Sequence, residues 1–306
     1  MRNLYYLLSA YLLLLCSTVS FADESTLAFK QAGNESYTFD TGILRGTLRQ
    51  EGRSIGLLSL EHIPSGSRLD GNDYGVFSHY RVFTANKRYG DGAWYLPSTS
   101  RLNPDGSVEI SWPASEECPF ELKALYRLSA PDTLDLITSV TAHSDLKAFE
   151  SFLASYFTEA FPASSVYALG DGKDAPSFQT TEQEQGHWQA FPRDRDSVAL
   201  IQDGRWKIEP NPVDWVIRGD ATRPLALRRN PQTGVCAVVM ARPEDCFAVM
   251  TPYAAEGHRS LYLSLFGRDI KAGETAAARA RLVVRPLSND EEAVSLYEAY
   301  IKEGQR

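Results

Sequence analysis

The sequence predicts an all-β protein, a large antiparallel β-sandwich followed by a short C-terminal helix. Three observations support this prediction. Apolar residues recur at alternate positions in many segments, turn residues separate nearly all of these segments, and the helical pattern is confined to the end of the chain. Alternation is typical of strands with one buried face, and strands that follow one another without helices between them pair antiparallel.

The clearest strands in the first half occupy residues 107–112 and 133–142. The turn at 103–106, which reads Asn-Pro-Asp-Gly, precedes the first of them. In the second, four apolar side chains that we expect on the buried face follow a two-residue period: Leu134, Leu136, Val140 and Ala142.

The second half contains four further strand segments, at 235–240, 246–250, 260–266 and 279–285. The segment 260–266 alternates regularly, and it places three leucines on one predicted face: Leu261, Leu263 and Leu265. Residues 170–196 are polar and interrupted by Gly and Pro, and we interpret them as a long functional loop.

The C-terminal helix is predicted from a capping box formed by Ser288 and Glu291. Residues 292–303 then follow a helical period, with apolar side chains at Val294, Leu296, Tyr297 and Ile301. We expect this helix to lie against the edge of the sandwich.

The N-terminus has the pattern of a cleavable signal peptide, residues 1–22. Arg2 supplies the positive charge, residues 7–15 are apolar, and Ser20 and Ala22 provide the small residues before the cleavage site. The sequence therefore predicts a secreted or periplasmic protein in which residues 23–306 form a single β-sandwich domain. No other segment approaches the length of a membrane span, so we expect none.

Charge and motif content exclude several function classes. The net charge is −8 and no segment is rich in Lys and Arg, which argues against nucleic-acid binding. The histidines fall at spacings that match no metal motif, and no phosphate-binding or dinucleotide-binding pattern is present. We therefore expect no metal and no cofactor.

Three cysteines remain after the predicted cleavage, and they allow at most one disulfide. Cys236 and Cys246 are candidates if they face each other across a hairpin. A tight turn centred near Pro243 would instead place Cys246 opposite Met240.

Three segments together resemble the galactose mutarotase-like superfamily. Residues 122–157 form two strands and a third that ends in the aromatic pair Tyr156-Phe157. The strand at 260–270 and the turn and strand at 270–284 complete the similarity, which covers about half of the mature chain. The resemblance implies a large antiparallel sandwich and a saccharide ligand.

The chain departs from the family at one important position. Aldose mutarotases carry a catalytic histidine just before the aromatic pair, in a His-Pro-Tyr-Phe-like run, whereas this chain has Ala154 and Ser155 there. The departure argues against mutarotation but leaves sugar binding as an expectation.

Residues 77–102 are the first candidate for a saccharide site, because they combine flat aromatic rings with guanidinium groups. Gly90 and Gly92 would let the backbone approach a ligand closely. The expected ligand-binding side chains are Tyr80, Arg81, Arg88, Tyr89 and Trp94, with Asp91 beside them. In the alternative interpretation this segment is a hairpin whose aromatic residues cover the end of the sandwich.

The second candidate is the pair His187-Trp188 in the predicted loop 170–196. Trp188 would bind the sugar face, and His79 and His187 would act as acid and base. Alternatively, the pair anchors the loop to the protein. Glu256 and His258, together in a predicted turn, are a further acid–base combination.

These observations predict an exported carbohydrate-binding or carbohydrate-active protein that uses a concave sandwich face with aromatic and arginine-rich loops. If it is an enzyme, we expect an epimerase, a lyase or a hydrolase-associated activity. A binding module without chemistry is the nearest alternative. The other alternative is a structural or interaction protein of the cell envelope that binds a protein partner.

Overall fold

A computed structural model describes residues 27–304 except 51, 72 and 171–173. The predicted signal peptide, residues 1–22, lies outside the described residues. Within the described ranges the chain forms twenty-one strands and two α-helices.

The strands are numbered in chain order. Those before residue 143 are β1 (Lys30–Gln31), β2 (Tyr37–Asp40), β3 (Leu44–Gln50), β4 (Arg53–His62), β5 (Ser67–Arg68), β6 (Ser78–Thr84), β7 (Lys87–Arg88), β8 (Thr99–Leu102), β9 (Val108–Trp112), β10 (Phe120–Ala130) and β11 (Thr133–Ala142). Those after it are β12 (Leu146–Tyr156), β13 (Ala163–Leu169), β14 (Pro176–Thr180), β15 (Trp188–Pro192), β16 (Trp215–Ile217), β17 (Leu225–Arg229), β18 (Val235–Ala241), β19 (Cys246–Pro252), β20 (Ser260–Ile270) and β21 (Thr275–Pro286). The helices are α1 (Arg195–Ile201) and α2 (Asp290–Glu303).

The described strands form three sheets. The first contains β1 to β5 in chain order. The second has nine strands in the order β14-β13-β17-β18-β21-β11-β10-β9-β8, and the third has seven in the order β16-β15-β19-β20-β12-β6-β7. Neighbouring strands pair antiparallel except β15 and β16, which are parallel. The all-β prediction, with large antiparallel sheets and a C-terminal helix, is confirmed.

The largest core cluster lies between the nine-stranded and seven-stranded sheets. The predicted buried face of β11, including Leu134 and Leu136, belongs to this cluster. Leu261, Leu263 and Leu265 of β20 enter it from the seven-stranded sheet, as their alternation predicted. The other face of the seven-stranded sheet carries a second, strongly aromatic cluster.

Helix α2 begins one residue later than the predicted capping box implies. Asn289, rather than Ser288, caps the helix, and its side chain accepts a hydrogen bond of 3.0 Å from the Glu292 amide. Tyr297 and Tyr300 pack against residues of β17, β18 and β21, which are interior strands of the nine-stranded sheet. The helix therefore covers the face of this sheet and not its edge.

Residues 170–196 are not the long loop that was predicted. They contain β14, β15 and the start of α1, because the turn residues in this range separate short strands. Similarly, residues 77–102 contain β6, β7 and β8, so Tyr80, Arg81 and Arg88 lie on strands, whereas Tyr89 and Trp94 lie in the connection between β7 and β8.

The candidate pair Cys236 and Cys246 forms no disulfide. Cys236 lies on β18 of the nine-stranded sheet and Cys246 on β19 of the seven-stranded sheet, so the two strands are not hairpin partners. The thiols of Cys118, Cys236 and Cys246 are all free.

No helix in the described part of the chain is long and apolar enough to cross a membrane.

A buried ion pair fixes the segment that follows α1 to the outer face of β12. Arg205 donates to the Glu150 carboxylate at 3.0 Å and to the Ala148 carbonyl at 2.9 Å, and neither charged side chain is exposed. Asp203 accepts a further hydrogen bond of 2.7 Å from Arg205. This network determines where the next residue, Trp206, lies.

Replacing Glu150 by Ala should therefore destabilise the protein strongly, because Arg205 would stay buried with less compensating charge. We expect the free energy of unfolding to fall by about 3 kcal/mol in urea denaturation. The matched control is Glu61→Ala, which breaks the exposed pair with Arg45 and should cost less than about 1 kcal/mol. Equal losses in the two variants would contradict this account.

Candidate functional site

A cleft of about 530 Å³ opens on the outer face of the seven-stranded sheet, the face turned away from the nine-stranded sheet. We call it the aromatic cleft. Four of the five tryptophans of the chain line it. Its aromatic lining consists of Tyr74, Tyr80, Trp94, Tyr95, Phe152, Tyr156, Trp188, Trp206, Trp215 and Tyr262. Its polar lining includes Arg81, Asp91, Asn211 and His258.

Strand alternation builds the floor of the cleft. On β12, Phe152 and Tyr156 point outward, whereas Leu153, and Phe157 directly after the strand, enter the core between the sheets. Tyr262 points outward from the neighbouring β20, and its ring stacks on Phe152 with the centroids 4.6 Å apart. A two-residue period on adjacent strands thus produces one continuous aromatic surface.

A β-bulge in β6 adds two neighbouring side chains to the same surface. His79 pairs with Leu153, but Val82 pairs with Ser151, so two residues of β6 lie opposite Phe152 alone. Those two residues are Tyr80 and Arg81, and both line the cleft. A regular strand would send consecutive side chains to opposite faces, and the bulge removes that alternation.

Trp94 forms one wall of the cleft in a stack of the protein's own rings. Its centroid lies 4.3 Å from that of Tyr80 and 4.9 Å from that of Tyr74, and Trp94 is only 4% exposed. A Cβ at Gly92 would come within 2.8 Å of the Trp94 indole nitrogen, so glycine permits this close approach. Trp94 therefore shapes the wall of the cleft, and little of its ring is exposed.

Residues 205–217 form the opposite wall. The Trp206 ring stands edge-on to Phe152 at 4.7 Å and to Trp215 at 5.2 Å. Trp188 on β15 is the register partner of Trp215 on β16, and their rings are 5.8 Å apart. Trp188 and Trp215 are half-buried, so they retain ring surface that a ligand can contact.

Arg81 lies between the two walls and is 3% exposed. Its guanidinium carbon is 5.0 Å from the centre of the Tyr80 ring and 5.1 Å from that of Trp206. One nitrogen, Nη2, donates to the Asn211 carbonyl at 2.7 Å. Its Nε and Nη1 have no hydrogen-bond partner within the described ranges.

Arg88 supports the walls and does not line the cleft. Its guanidinium donates to the Gly90 carbonyl at 3.1 Å and to the carbonyls of Asp91 and Pro210. It thus connects the turn after β7 to the opposite wall. Burial lowers the pKa of Arg88, and the neighbouring positive charge of Arg81 lowers it further.

Two kinds of ionisable group surround the cleft. Burial raises the pKa of Tyr262 to about 12 and that of Tyr156 well above its usual value, so both phenols are neutral donors near pH 7. At the rim, the His258 Nδ1 lies 2.6 Å from a Glu256 carboxylate oxygen. The His258 ring is 5.8 Å from that of Trp188. This pair has the form of a histidine oriented by a carboxylate.

His79, predicted as a catalytic residue, is not in the cleft. It points from β6 into the space between the sheets, where its Nε2 lies 2.9 Å from the Thr138 hydroxyl and its ring lies 5.3 Å from that of Trp112. The side chain has no exposed surface, and burial lowers its pKa to about 3. His79 and Tyr80 are consecutive on a strand, so alternation alone could have separated them.

Tyr89 and His187 also lie outside the lining of the cleft. Tyr89 is 5% exposed, and its ring packs edge-on against Phe120 in the main core. His187 is exposed and contacts Trp188 and Tyr253 beside the cleft. Of the predicted ligand-binding residues, the structure thus brings Tyr80, Arg81, Trp94 and Trp188 together.

The sequence analysis missed the residues of the second wall. Trp206 and Trp215 flank the turn Pro210-Asn211-Pro212, and two tryptophans beside such a turn were a usable signal. Tyr74 precedes the segment that was considered. Tyr156 was noted only as part of the aromatic pair.

No group of three or more metal-binding side chains lies together among the residues that the structure describes.

The sequence itself matches no protein-family model and no curated protein. Several solved structures are similar in fold. A galactose mutarotase related enzyme from Lactobacillus acidophilus is 12% identical, with 82% of this chain and 97% of the other covered, at a TM-score of 0.49. A protein from Synechocystis sp. PCC 6803 is 13% identical, with 85% and 99% covered, at a TM-score of 0.53.

A third similar structure is a quadruple mutant of an α-N-acetylgalactosaminidase from Bifidobacterium bifidum. It is 10% identical, and the match covers 90% of this chain and 39% of the other at a TM-score of 0.50. The chain therefore shares the sandwich fold of the Synechocystis protein and of part of the α-N-acetylgalactosaminidase. At these identities the similarity shows the fold alone.

The position where the family carries its histidine lies on the cleft side of β12. Ala154 belongs to the aromatic cluster, between Phe152 and Tyr156, and is fully buried. The resemblance to mutarotases would place their imidazole at this position, which carries only a methyl group here, so any acid–base chemistry in this cleft needs other groups.

His79 should control stability and not activity. Above about pH 6.5 the His79 imidazole is neutral in both the folded and the unfolded protein. Between about pH 6.5 and pH 3 it is protonated in the unfolded chain but stays neutral in the folded protein, because its folded-state pKa is about 3. The free energy of unfolding should therefore fall by up to about 1.4 kcal/mol per pH unit between these values. Urea denaturation from pH 7 to pH 5 should show this component in the wild type and not in His79→Gln.

The control for this measurement is the exposed His143→Gln, which should keep the wild-type pH dependence. An unchanged slope in His79→Gln would show that the imidazole is not buried in its neutral form.

Proposed function

We propose that this chain is an exported saccharide-binding protein and that the aromatic cleft is its ligand site. Export is proposed from the signal-peptide pattern of residues 1–22. The observation that supports the proposal is the composition of the cleft. Its tryptophan and tyrosine rings surround buried N–H groups that have no hydrogen-bond partner among the described residues.

The chemistry of the lining suits a sugar better than a wholly apolar ligand. Sugars have C–H faces that pack on aromatic rings, and Trp188 and Trp215 keep ring surface for this contact. Sugars also have many hydroxyl acceptors. The indole nitrogens of Trp206 and Trp215 are buried and, like Arg81 Nε, have no partner among the described residues. A ligand that supplies acceptors would remove the cost of leaving such donors unpaired.

The similar structures support this proposal only through their fold. One is described as galactose mutarotase related and another as an α-N-acetylgalactosaminidase. Sandwiches of this kind thus occur in proteins named for saccharide chemistry, which raises the expectation of a saccharide ligand here. The assignment itself depends on the cleft.

The envelope-partner alternative has weaker support. Within the described ranges the exposed large apolar side chains are Leu27, Tyr95, Leu169 and Val216, and Tyr95 already lines the cleft. A protein-binding face normally shows a contiguous apolar patch of several hundred Å². An absence of glycan binding would favour this alternative.

Glycan-array binding of the mature chain, residues 23–306, tests the proposal. We expect Trp188→Ala to weaken binding of a captured glycan at least about tenfold, because it removes a half-buried ring from the cleft. Phe178→Ala is the matched control, since it removes a half-buried aromatic side chain from β14, away from the cleft. Equal binding by the Trp188 variant and the wild type would contradict the proposed site.

Turnover of a bound glycan would require acid–base groups, and we propose the His258–Glu256 pair in place of His79 and His187. His258→Asn should then lower kcat at least about 100-fold with little change in binding. His143→Asn, at an exposed histidine outside the cleft, is the control. Full turnover by the His258 variant would exclude this role, and binding without any turnover would identify a binding module.

A further inference from the structure

Arg81 differs from the other buried arginines in what compensates its charge. Arg49 and Arg205 each donate to a carboxylate at 2.9–3.0 Å. Arg228 has no carboxylate, but it donates to three carbonyl oxygens at 2.9–3.3 Å. Arg81 donates to a single carbonyl, that of Asn211, and at 3.4 Å to a tyrosine hydroxyl. No ion pair of Arg81 is present within the described ranges.

The position of this charge makes it a ligand-binding group. The Arg81 guanidinium carbon lies over the rings of Tyr80 and Trp206, 5.0 and 5.1 Å from their centroids. These cation–π contacts partly stabilise the charge. Its Nε and Nη1 are buried in the wall of the cleft and have no described partner. A buried cation that lacks hydrogen-bond partners is costly, and an anion from the ligand would supply both charge and acceptors.

A second cation increases the positive potential of this wall. Burial and then the nearby positive charge of Arg81 lower the pKa of Arg88, and the hydrogen bonds of Arg88 go to carbonyl oxygens. Asp91 is the carboxylate of the described lining, but it is exposed at the mouth. The whole chain has a net charge of −8, so this local concentration of positive charge stands out from the rest.

We propose that the aromatic cleft takes an anionic saccharide, whose carboxylate or sulfate ester pairs with Arg81 while a neighbouring sugar ring packs on Trp188 and Trp215. This inference rests on the proposed function, because it names the substrate class of the same cleft. A planar guanidinium with free N–H groups suits an oxyanion from either source.

The test compares matched ligands on the wild-type protein. The probes are tetrasaccharides of galacturonic, glucuronic and mannuronic acid, the same tetrasaccharides after reduction of their carboxyl groups, and sulfated forms of the reduced sugars. Titration calorimetry should show at least one charged form binding about tenfold or more tighter than its neutral counterpart. Comparing the affinities of the uronic acid and sulfated tetrasaccharides identifies whether the cleft prefers a carboxylate or a sulfate ester.

A variant assigns the preference to Arg81. Arg81→Gln should abolish the preference for the charged form, so that the charged and neutral forms bind this variant with affinities within about twofold of each other. Arg127→Gln, at an exposed arginine outside the cleft, is the control and should keep the preference. The wild-type comparison remains decisive if the Arg81 variant does not fold, which its melting temperature will show.

The outcomes separate this inference from the proposal on which it rests. Equal binding of charged and neutral forms, or tighter binding of the neutral forms, would overturn the inference and leave a saccharide site. A preference for charged forms that survives in Arg81→Gln would overturn the role of Arg81. Binding of no saccharide in the glycan array would overturn the proposed function itself, and this inference with it.

Discussion

The aromatic cleft depends on one irregularity, the bulge in β6 opposite Phe152. In a regular strand, Arg81 would point with His79 into the core between the sheets, where an unpaired guanidinium could not be accommodated. The bulge turns Arg81 to the outer face beside Tyr80. The Tyr80 ring then stacks on Trp94, and the guanidinium is held between aromatic side chains. Tyr80 and Arg81 therefore connect the floor of the cleft to its two walls, Tyr80 through Trp94 and Arg81 through Trp206.

The two faces of the seven-stranded sheet are stabilised differently. Its inner face is an apolar core shared with the nine-stranded sheet. Its outer face has aromatic residues, and the buried Glu150–Arg205 pair fixes the segment that carries Trp206. The first sheet contributes Ile55 and Leu58 to the same cluster as Trp94. The cleft is thus preorganised by packing on three sides, which reduces the ordering that a ligand must impose.

Sequence periodicity predicted the parts of the structure that are regular. Alternation identified the buried faces of β11 and β20, and a helical period identified α2. The bulge, by contrast, depends on pairing with β12, which is distant in sequence, so no local pattern shows it. Trp206 and Trp215 had a local signal in the turn between them, but their position in the cleft depends on the Arg205 network and on pairing with β15. His79 was assigned to the site because alternation was not applied to residues 78–81.

The fold is shared with proteins of different activities, so the function depends on what this chain places on it. Ala154 stands where the resemblance to mutarotases would place a histidine, while Arg81 adds a buried positive charge to the cleft. The most direct test of this account is a crystal structure of the protein with its best-binding oligosaccharide. We predict a sugar ring against Trp188 and Trp215, with an oxyanion within hydrogen-bonding distance of Arg81. A ligand bound elsewhere, with the aromatic cleft unchanged, would contradict the account.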